Sequence, residues 1–239
     1  MRAMLLPVFY FLISLCTSDA QPISQESLNL VNSPYDEQSP VISPDGTTLF
    51  FTIGNHPSNV GGKKDPGDIW ISRWLGDHWA APVHGGVTLN DAGYNAVGGM
   101  SADGSQLFLM SHYTANGEQV HSQGISISRN SGNGWLQPEN ISIPYFRNKS
   151  RIVSGYITPD KALFLFSAET YGTYGVEDLY VSFNEDGRWT EPKNLGSTIN
   201  TQFQELCPYN FPPDGKTLYF LQQRPQGKRQ LRHIQRHTP

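Results

Sequence analysis

One short phrase returns four times along this chain, and a repeat restricts the fold more tightly than any single motif could. SPDG at residues 43–46 precedes TLFFT, SADG at 101–104 precedes QLFLM, TPD at 158–160 precedes ALFLF, and PPDG at 212–215 precedes TLYFL. The turn accounts for its own residues. Pro44 and Pro159 pre-set φ, Asp45, Asp103, Asp160 and Asp214 can bond back to the backbone, and Gly46, Gly104 and Gly215 supply the positive φ that closes a tight hairpin. The repeated Asp therefore needs no ligand to explain it. In the third copy no glycine follows Asp160, so that hairpin is expected to lack a residue and close differently.

The residues around the turn repeat too. The runs 48–52, 106–110, 162–166 and 217–221 are apolar on both alternating faces, as in a strand covered on both sides. DIWISR (68–73), GISISR (124–129) and DLYVSF (178–183) follow, with period-2 apolar pairs at Ile69/Ile71, Ile125/Ile127 and Leu179/Val181. Next comes a tryptophan with a proline three residues on: Trp79/Pro82, Trp135/Pro138 and Trp189/Pro192. In the first and third copies the same interval leads on to Leu89-Asn90 and Ile199-Asn200. A short strand fits before each turn, in SPVIS, VGGMS, SGYIT and CPYNF. Each unit thus offers four strands. It cannot bury both faces alone, and a ring of neighbours supplies the cover. The expectation is an all-β β-propeller of four-stranded antiparallel blades, three full and one partial, with an incomplete ring. Its blades span residues 33–93, 94–151, 152–203 and 204–221.

Composition agrees: 23 Gly, 17 Pro and 12% aromatics with 16% charged residues describe a turn-rich β protein. A net charge of −4 gives no electrostatic reason to expect nucleic acid as a partner. Residues 1–20 read as a secretory signal, with Arg2, the apolar run LLPVFYFLISLC and a small-residue exit at Ala20. No segment is long enough to expect a membrane span. Residues 21–32 read as a linker. Cys16 closes the apolar run, so a lipid anchor there is a second reading, against which stands the bulky Leu15 before it. After cleavage Cys207 is left without an intrachain partner and is expected to be a small buried residue.

The SPDG hairpin, the LFF-type strand and the DIWIS or DLYVS strand together resemble the TolB-type, WD40-like β-propeller repeat of bacterial envelope and secreted proteins. The resemblance covers residues 33–221 and implies a secreted or periplasmic scaffold or binding platform; it does not fix a function. The turns SRWLGDHW, SRNSGNGW and SFNEDGRW also look like the Asp-box of sialidase-like propellers. The Ser–Trp spacing holds at Ser72/Trp79, Ser128/Trp135 and Ser182/Trp189, while Trp74, Asn130 and Asn184 replace the Asp.

A catalytic group is needed once, so an enzyme should break the repeat. Arg147 and Arg151, between the second and third blades, are candidates for a sialidase-like carboxylate site, but no Tyr–acid pair marks them. There is no G-x-S-x-G elbow. His56, His78, His84, His112 and His121 show no zinc-type spacing, and an Asp65/Asp68 calcium turn is weaker than a plain Asp-Gly turn, so neither metal nor cofactor is expected. The loops between second and third strands, 54–67, 111–123 and 168–177, differ in sequence while the strands repeat, and should gather on one face. Tyr113, Tyr171 and Tyr174 are the candidate contacts there for a protein or polysaccharide, without turnover. A sialidase-like enzyme, or an accessory propeller of an enzyme or outer-membrane complex, is the alternative. Residues 222–239 show no strand pattern and read as a basic tail on a chain truncated or frame-shifted at its C-terminus.

Overall fold

The computed structural model describes residues 25–114, 123–210, 217–223 and 229–235. The candidate signal, Cys16, His121, Asp214 and Gly215 lie outside the described residues. Four antiparallel sheets form the blades. The first holds β1 (Asp36–Ile42), β2 (Thr48–Gly54), β3 (Asp68–Arg73) and β4 (Val83–His84) in that order. The second holds β5 (Val97–Met100), β6 (Gln106–Leu109), β7 (Ile125–Arg129) and β8 (Glu139–Ile141). The third holds β9 (Ser154–Ile157), β10 (Leu163–Ala168), β11 (Asp178–Glu185), β12 (Arg188–Trp189) and β13 (Lys193–Asn194), the last two both pairing β11. The fourth holds β14 (Glu205–Asn210), β15 (Thr217–Gln223) and β16 (Arg229–Gln235). First strands of neighbouring blades lie side by side around the axis, β1 by β5, β5 by β9 and β9 by β14. Among the described residues no sheet joins the fourth blade to the first, and the ring they form is open.

Hydrophobic alternation along the second strands locks the blades together. Phe50 of β2 meets Leu107 and Leu109 of β6 in one cluster, and Phe108 of β6 meets Phe164 and Phe166 of β10 in the next. The second strand β6 is therefore clamped from both sides. The other face of β2, Leu49, Phe51 and Ile53, packs against Leu28 and Val31. The expected linker is thus part of the core: Gln25–Leu28 forms a 3-10 turn, and Ser27 carbonyl accepts the Trp79 N–H at 3.0 Å.

The third hairpin corrects the expectation for it. No residue is missing, because Lys161 takes the place of glycine with φ +60, beside +73 at Gly46 and +70 at Gly104. The closing bond is also the same: Gly46 N to Ser43 O at 2.8 Å, Gly104 N to Ser101 O at 2.9 Å, Lys161 N to Thr158 O at 2.8 Å. This moves the third strand by one residue relative to the sequence alignment. Leu163, not Ala162, pairs with the end of the next strand, at Phe183, as Thr48 does with Arg73. Phe164 and Phe166 consequently stand at the positions of Leu49 and Phe51, and face Phe108 of the preceding blade where Leu49 and Phe51 face Leu28 and Val31.

Two further corrections concern the innermost and last strands. Register shifts fall between Gln38 and Val41 in β1, and between Leu206 and Tyr209 in β14, with φ +50 at Ser39 and +51 at Cys207. Pro40 and Pro208 sit in these bulges, where a ladder donor is not missed. The bulge leaves Cys207 exposed rather than buried. Residues 229–235, read as tail, pair with β15 over its whole length from Thr217↔Gln235 to Gln223↔Arg229. Their strand hides from a periodicity search because all but Ile234 of the residues from Arg229 to Ile234 are exposed on an edge.

An L-residue held at φ near +60 costs roughly 1 kcal/mol relative to glycine. Lys161→Gly should raise the urea midpoint by an amount equivalent to up to about 1 kcal/mol, despite loss of the 3.2 Å Lys161 Nζ to Gln106 Oε1 bond. A lowered midpoint would refute this assignment of strain. Trp189 is buried against Phe164 at a ring separation of 6.2 Å. Trp189→Ala should destabilise by about 3–5 kcal/mol, read from the same titration.

Candidate functional site

Before a site can be located, the repeated residues must be assigned. The first residue of each turn does as much as its Asp. Asp45 Oδ1 accepts the Thr47 N–H at 3.0 Å, Asp103 Oδ1 that of Ser105 at 3.0 Å, and Asp160 Oδ1 that of Ala162 at 3.0 Å. The hydroxyls of Ser43, Ser101 and Thr158 donate to these carboxylates and accept the N–H groups of Thr48, Gln106 and Leu163. These bonds hold the three carboxyls below the usual carboxylate range, Asp103 at about 2.

The Ser–Trp spacing also has a structural cause. Ser72 Oγ donates to Ala80 O at 2.6 Å, Ser128 Oγ to Leu136 O at 2.6 Å and Ser182 Oγ to Thr190 O at 2.7 Å. Trp74, Asn130 and Asn184, in the Asp-box position, bridge Trp79, Trp135 and Trp189 across the turn. Pro82, Pro138 and Pro192 immediately precede the outer strands β4, β8 and β13.

Where blades one and three carry Leu89-Asn90 and Ile199-Asn200, the asparagine clamps the third strand. Asn90 accepts the Ile69 N–H at 2.6 Å and donates to Ile69 O at 3.1 Å; Asn200 does the same with Leu179 at 2.8 and 3.0 Å. The acid opening that strand is used as well. Asp178 Oδ2 accepts from Asn194 Nδ2 at 2.7 Å, and Asp68 Oδ2 accepts from His84 Nε2 at 2.7 Å. His84 Nδ1 accepts the Gly86 N–H as Asn194 Oδ1 accepts that of Gly196. His84 therefore stands in the first blade where asparagine stands in the third. Asp65 takes the Gly61 and Gly67 N–H groups at 2.7 and 2.9 Å, and Asp68 takes that of Val60 at 2.7 Å. Both acids thus close the loop, with Asp68 Oδ1 buried and without a hydrogen-bond partner among the described residues.

Tyr113 is corrected from a contact residue to a core one. It is 7% exposed, donates its hydroxyl to Leu89 O at 2.7 Å, and burial raises its pKa. Tyr171 and Tyr174 are 97% and 55% exposed on the loop between β10 and β11. Asp178 holds that loop by accepting the Tyr174 N–H at 2.9 Å.

A cavity of about 590 Å³ lies where this family of loops meets the inner strands. Gln38 comes from β1, Asn55 and Lys64 from the first loop, His112 from the second, Asp91 and Arg151 from links between blades. Of the two arginines considered, Arg151 lines it and Arg147 does not. Tyr171 and Tyr174 are outside it. Lys64, Gln38 and Asn55 carried no sequence signal, because nothing in their spacing distinguishes them from loop residues.

Burial lowers the His112 pKa, and burial with the charge of His84 lowers that of His56. His56 and His84 flank Trp70 at ring separations of 4.4 and 5.3 Å. A depressed folded-state imidazole makes the unfolded chain bind more protons below about pH 6.5, so stability should fall as pH drops through that value. The urea midpoint should be lower at about pH 5.5 than at about pH 7.5, and a His56→Gln/His112→Gln variant should show a shallower slope. Asp65 and Asp68, whose pKa values burial raises, act in the opposite sense, so the variant isolates the imidazoles. Equal slopes would contradict the assignment.

No protein-family profile matches this chain, and no curated protein matches it. Solved structures do. TolB from Acinetobacter baumannii superposes with a TM-score of 0.51 at 15% identity, covering 86% of this chain and 42% of that one. A TolB-assigned protein from Agrobacterium tumefaciens gives 0.48 at 20% identity, covering 85% and 59%. A puromycin-hydrolysing peptidase from Mycobacterium tuberculosis gives 0.48 at 13%, covering 85% and 38%. The chain thus spans less than two thirds of each, and such identities bear on fold alone. With four consecutive antiparallel blades and an open ring, the chain has the fold of a TolB-like β-propeller.

Proposed function

We propose that this chain is a non-enzymatic propeller of the cell envelope or secreted space, binding a protein or polysaccharide through the loops between second and third strands. The observation that carries this reading is the contrast between the two ends of the blades. The hairpin turns of the first three blades repeat one hydrogen-bonded design. The loops at the other end differ, and one of them displays Tyr171 and Tyr174 to solvent. Exposed aromatics on a backbone held by buried acids present rigid contact area at low entropic cost. The signal-like residues 1–20 support an envelope or extracellular location.

The residues that repeat are consumed by turns, clamps and blade contacts, which leaves them no part in turnover. Arg151 is separated by role from Arg147, which reduces support for a paired-arginine glycosidase site. An accessory role beside a separate enzyme or outer-membrane complex uses the same loop face and is one form of this proposal.

The test is binding of the purified mature chain to fractionated envelope polysaccharides and envelope proteins, with Tyr171→Ala/Tyr174→Ala as the loop variant. The double substitution should weaken binding at least about fivefold, with a stability change within roughly 0.5 kcal/mol because both side chains are exposed. Turnover of ester, glycoside or peptide substrates by the same chain, or binding indifferent to the loop variant, would contradict the proposal.

A further inference from the structure

The cavity at the loop end of the inner strands has a charge pattern that the scaffold does not explain. Lys64 reaches it from the first blade and Arg151 from the link between the second and third blades. Neither belongs to an ion pair among the described residues. Among the described residues the one carboxylate at the cavity, that of Asp91, already accepts the Gly93 N–H at 2.8 Å and Asn95 Nδ2 at 3.2 Å. Two cations from separate parts of the arc thus face a shared space of about 590 Å³ with, among the described residues, a single and internally bonded counter-charge. The chain as a whole carries a charge of −4, so this is a local reversal of sign.

The rest of the lining narrows the ligand. Gln38, Asn55 and Gln123 contribute carboxamides; Gln38 already donates to Asp36 Oδ2 at 2.6 Å, and Gln123 donates to Ser150 O at 2.6 Å and accepts from Asn148 Nδ2 at 2.7 Å, which leaves each of these two one further amide N–H and one further lone pair. Such groups match vicinal hydroxyls, which also donate and accept from adjacent atoms. Tyr94 adds ring surface for the C–H face of a sugar, while Met110, 4% exposed, belongs to the core that backs the cavity. The volume is that of a small-ligand site rather than a flat protein contact. An acidic peptide shares the charge and offers backbone N–H and C=O groups to the same carboxamides, so it is the competing ligand that the titration has to separate from a sugar acid.

We propose that this cavity binds a uronate unit of an acidic polysaccharide, with Arg151 and Lys64 on the carboxylate and the three carboxamides on the ring hydroxyls. This deepens the loop-face reading of the preceding subsection and rests on it. Arg151 offers the fork suited to a carboxylate, and Lys64 a point charge on a flexible stem.

The experiment is calorimetric titration of the mature chain with oligogalacturonate trimer, its methyl-esterified form and a hexaglutamate peptide, at low and moderate salt. The trimer should bind, and its affinity should fall with salt. The esterified trimer and the peptide should bind at least about tenfold more weakly. Arg151→Gln and Lys64→Gln should each cost about tenfold, the loss expected for a charged hydrogen bond, and Arg151→Lys should retain more affinity than Arg151→Gln. Absence of trimer binding, equal binding of the esterified trimer or of hexaglutamate, or affinity unmoved by both substitutions would overturn the proposal. The Tyr171→Ala/Tyr174→Ala variant separates the two readings. If the trimer fails while that variant still lowers capture of envelope material, the uronate site falls and the loop-face reading stands; if both fail, both fall.

Discussion

The structure depends on one arrangement repeated around the axis: a second strand with large apolar residues on both faces, wedged between its neighbours. Phe108 faces Phe164 and Phe166 on one side, while Leu107 and Leu109 face Phe50 on the other. A single sheet of this kind would expose half of those side chains to water. At roughly 25 cal/mol per Å² of apolar surface, blade docking is where the favourable free energy arises, and the hydrogen bonds within a sheet only shape the pieces. The innermost strands meet the same demand for close approach differently. A Cβ at Gly99 would lie 2.4 Å from Ile157 O, and one at Gly155 would lie 2.7 Å from the Phe164 ring. Bulk on the second strand and glycine at these two first-strand positions both follow from the close approach of neighbouring blades.

Polar residues then keep the wedges in register without adding bulk. The turn hydroxyls of Ser43, Ser101 and Thr158, the Asn90 and Asn200 clamps and the Ser72, Ser128 and Ser182 bonds each satisfy backbone groups that a short strand leaves open. Because these demands recur in successive blades, the same side chains recur in sequence. The loop end is closed by side chains that do not recur in every blade, among them Asp65, Asp68, Asp178 and Asn59. Its remaining residues are free to differ, and the cavity with Lys64 and Arg151 forms there.

Architecture was legible in the sequence because packing repeats, and the site was not because it occurs once. The positions of the hairpins, the Trp turns and the third strands could be read from spacing alone. Lys161 misled because its identity argues against a left-handed conformation, yet the Thr158–Asp160 hydrogen bonds hold it there at φ +60. Strand β16 was missed because an exposed edge strand needs no apolar alternation. Tyr113 was misjudged because a loop position says nothing about depth; its hydroxyl found Leu89 O inside the core. For the cavity, Gln38, Lys64 and Arg151 are far apart in the chain, and only the curvature of the arc brings them together.

Mutual burial implies that the first three blades open together rather than one at a time. Native-state amide hydrogen exchange tests this most directly, read at amides held equivalently in different blades: Ile69 and Leu179 at the asparagine clamps, and Phe108 and Leu165 in the second strands. The account predicts one shared opening free energy and one shared denaturant dependence for these amides. Separate values for each blade would mean that the sheets are stable on their own, and would contradict the claim that docking holds the fold.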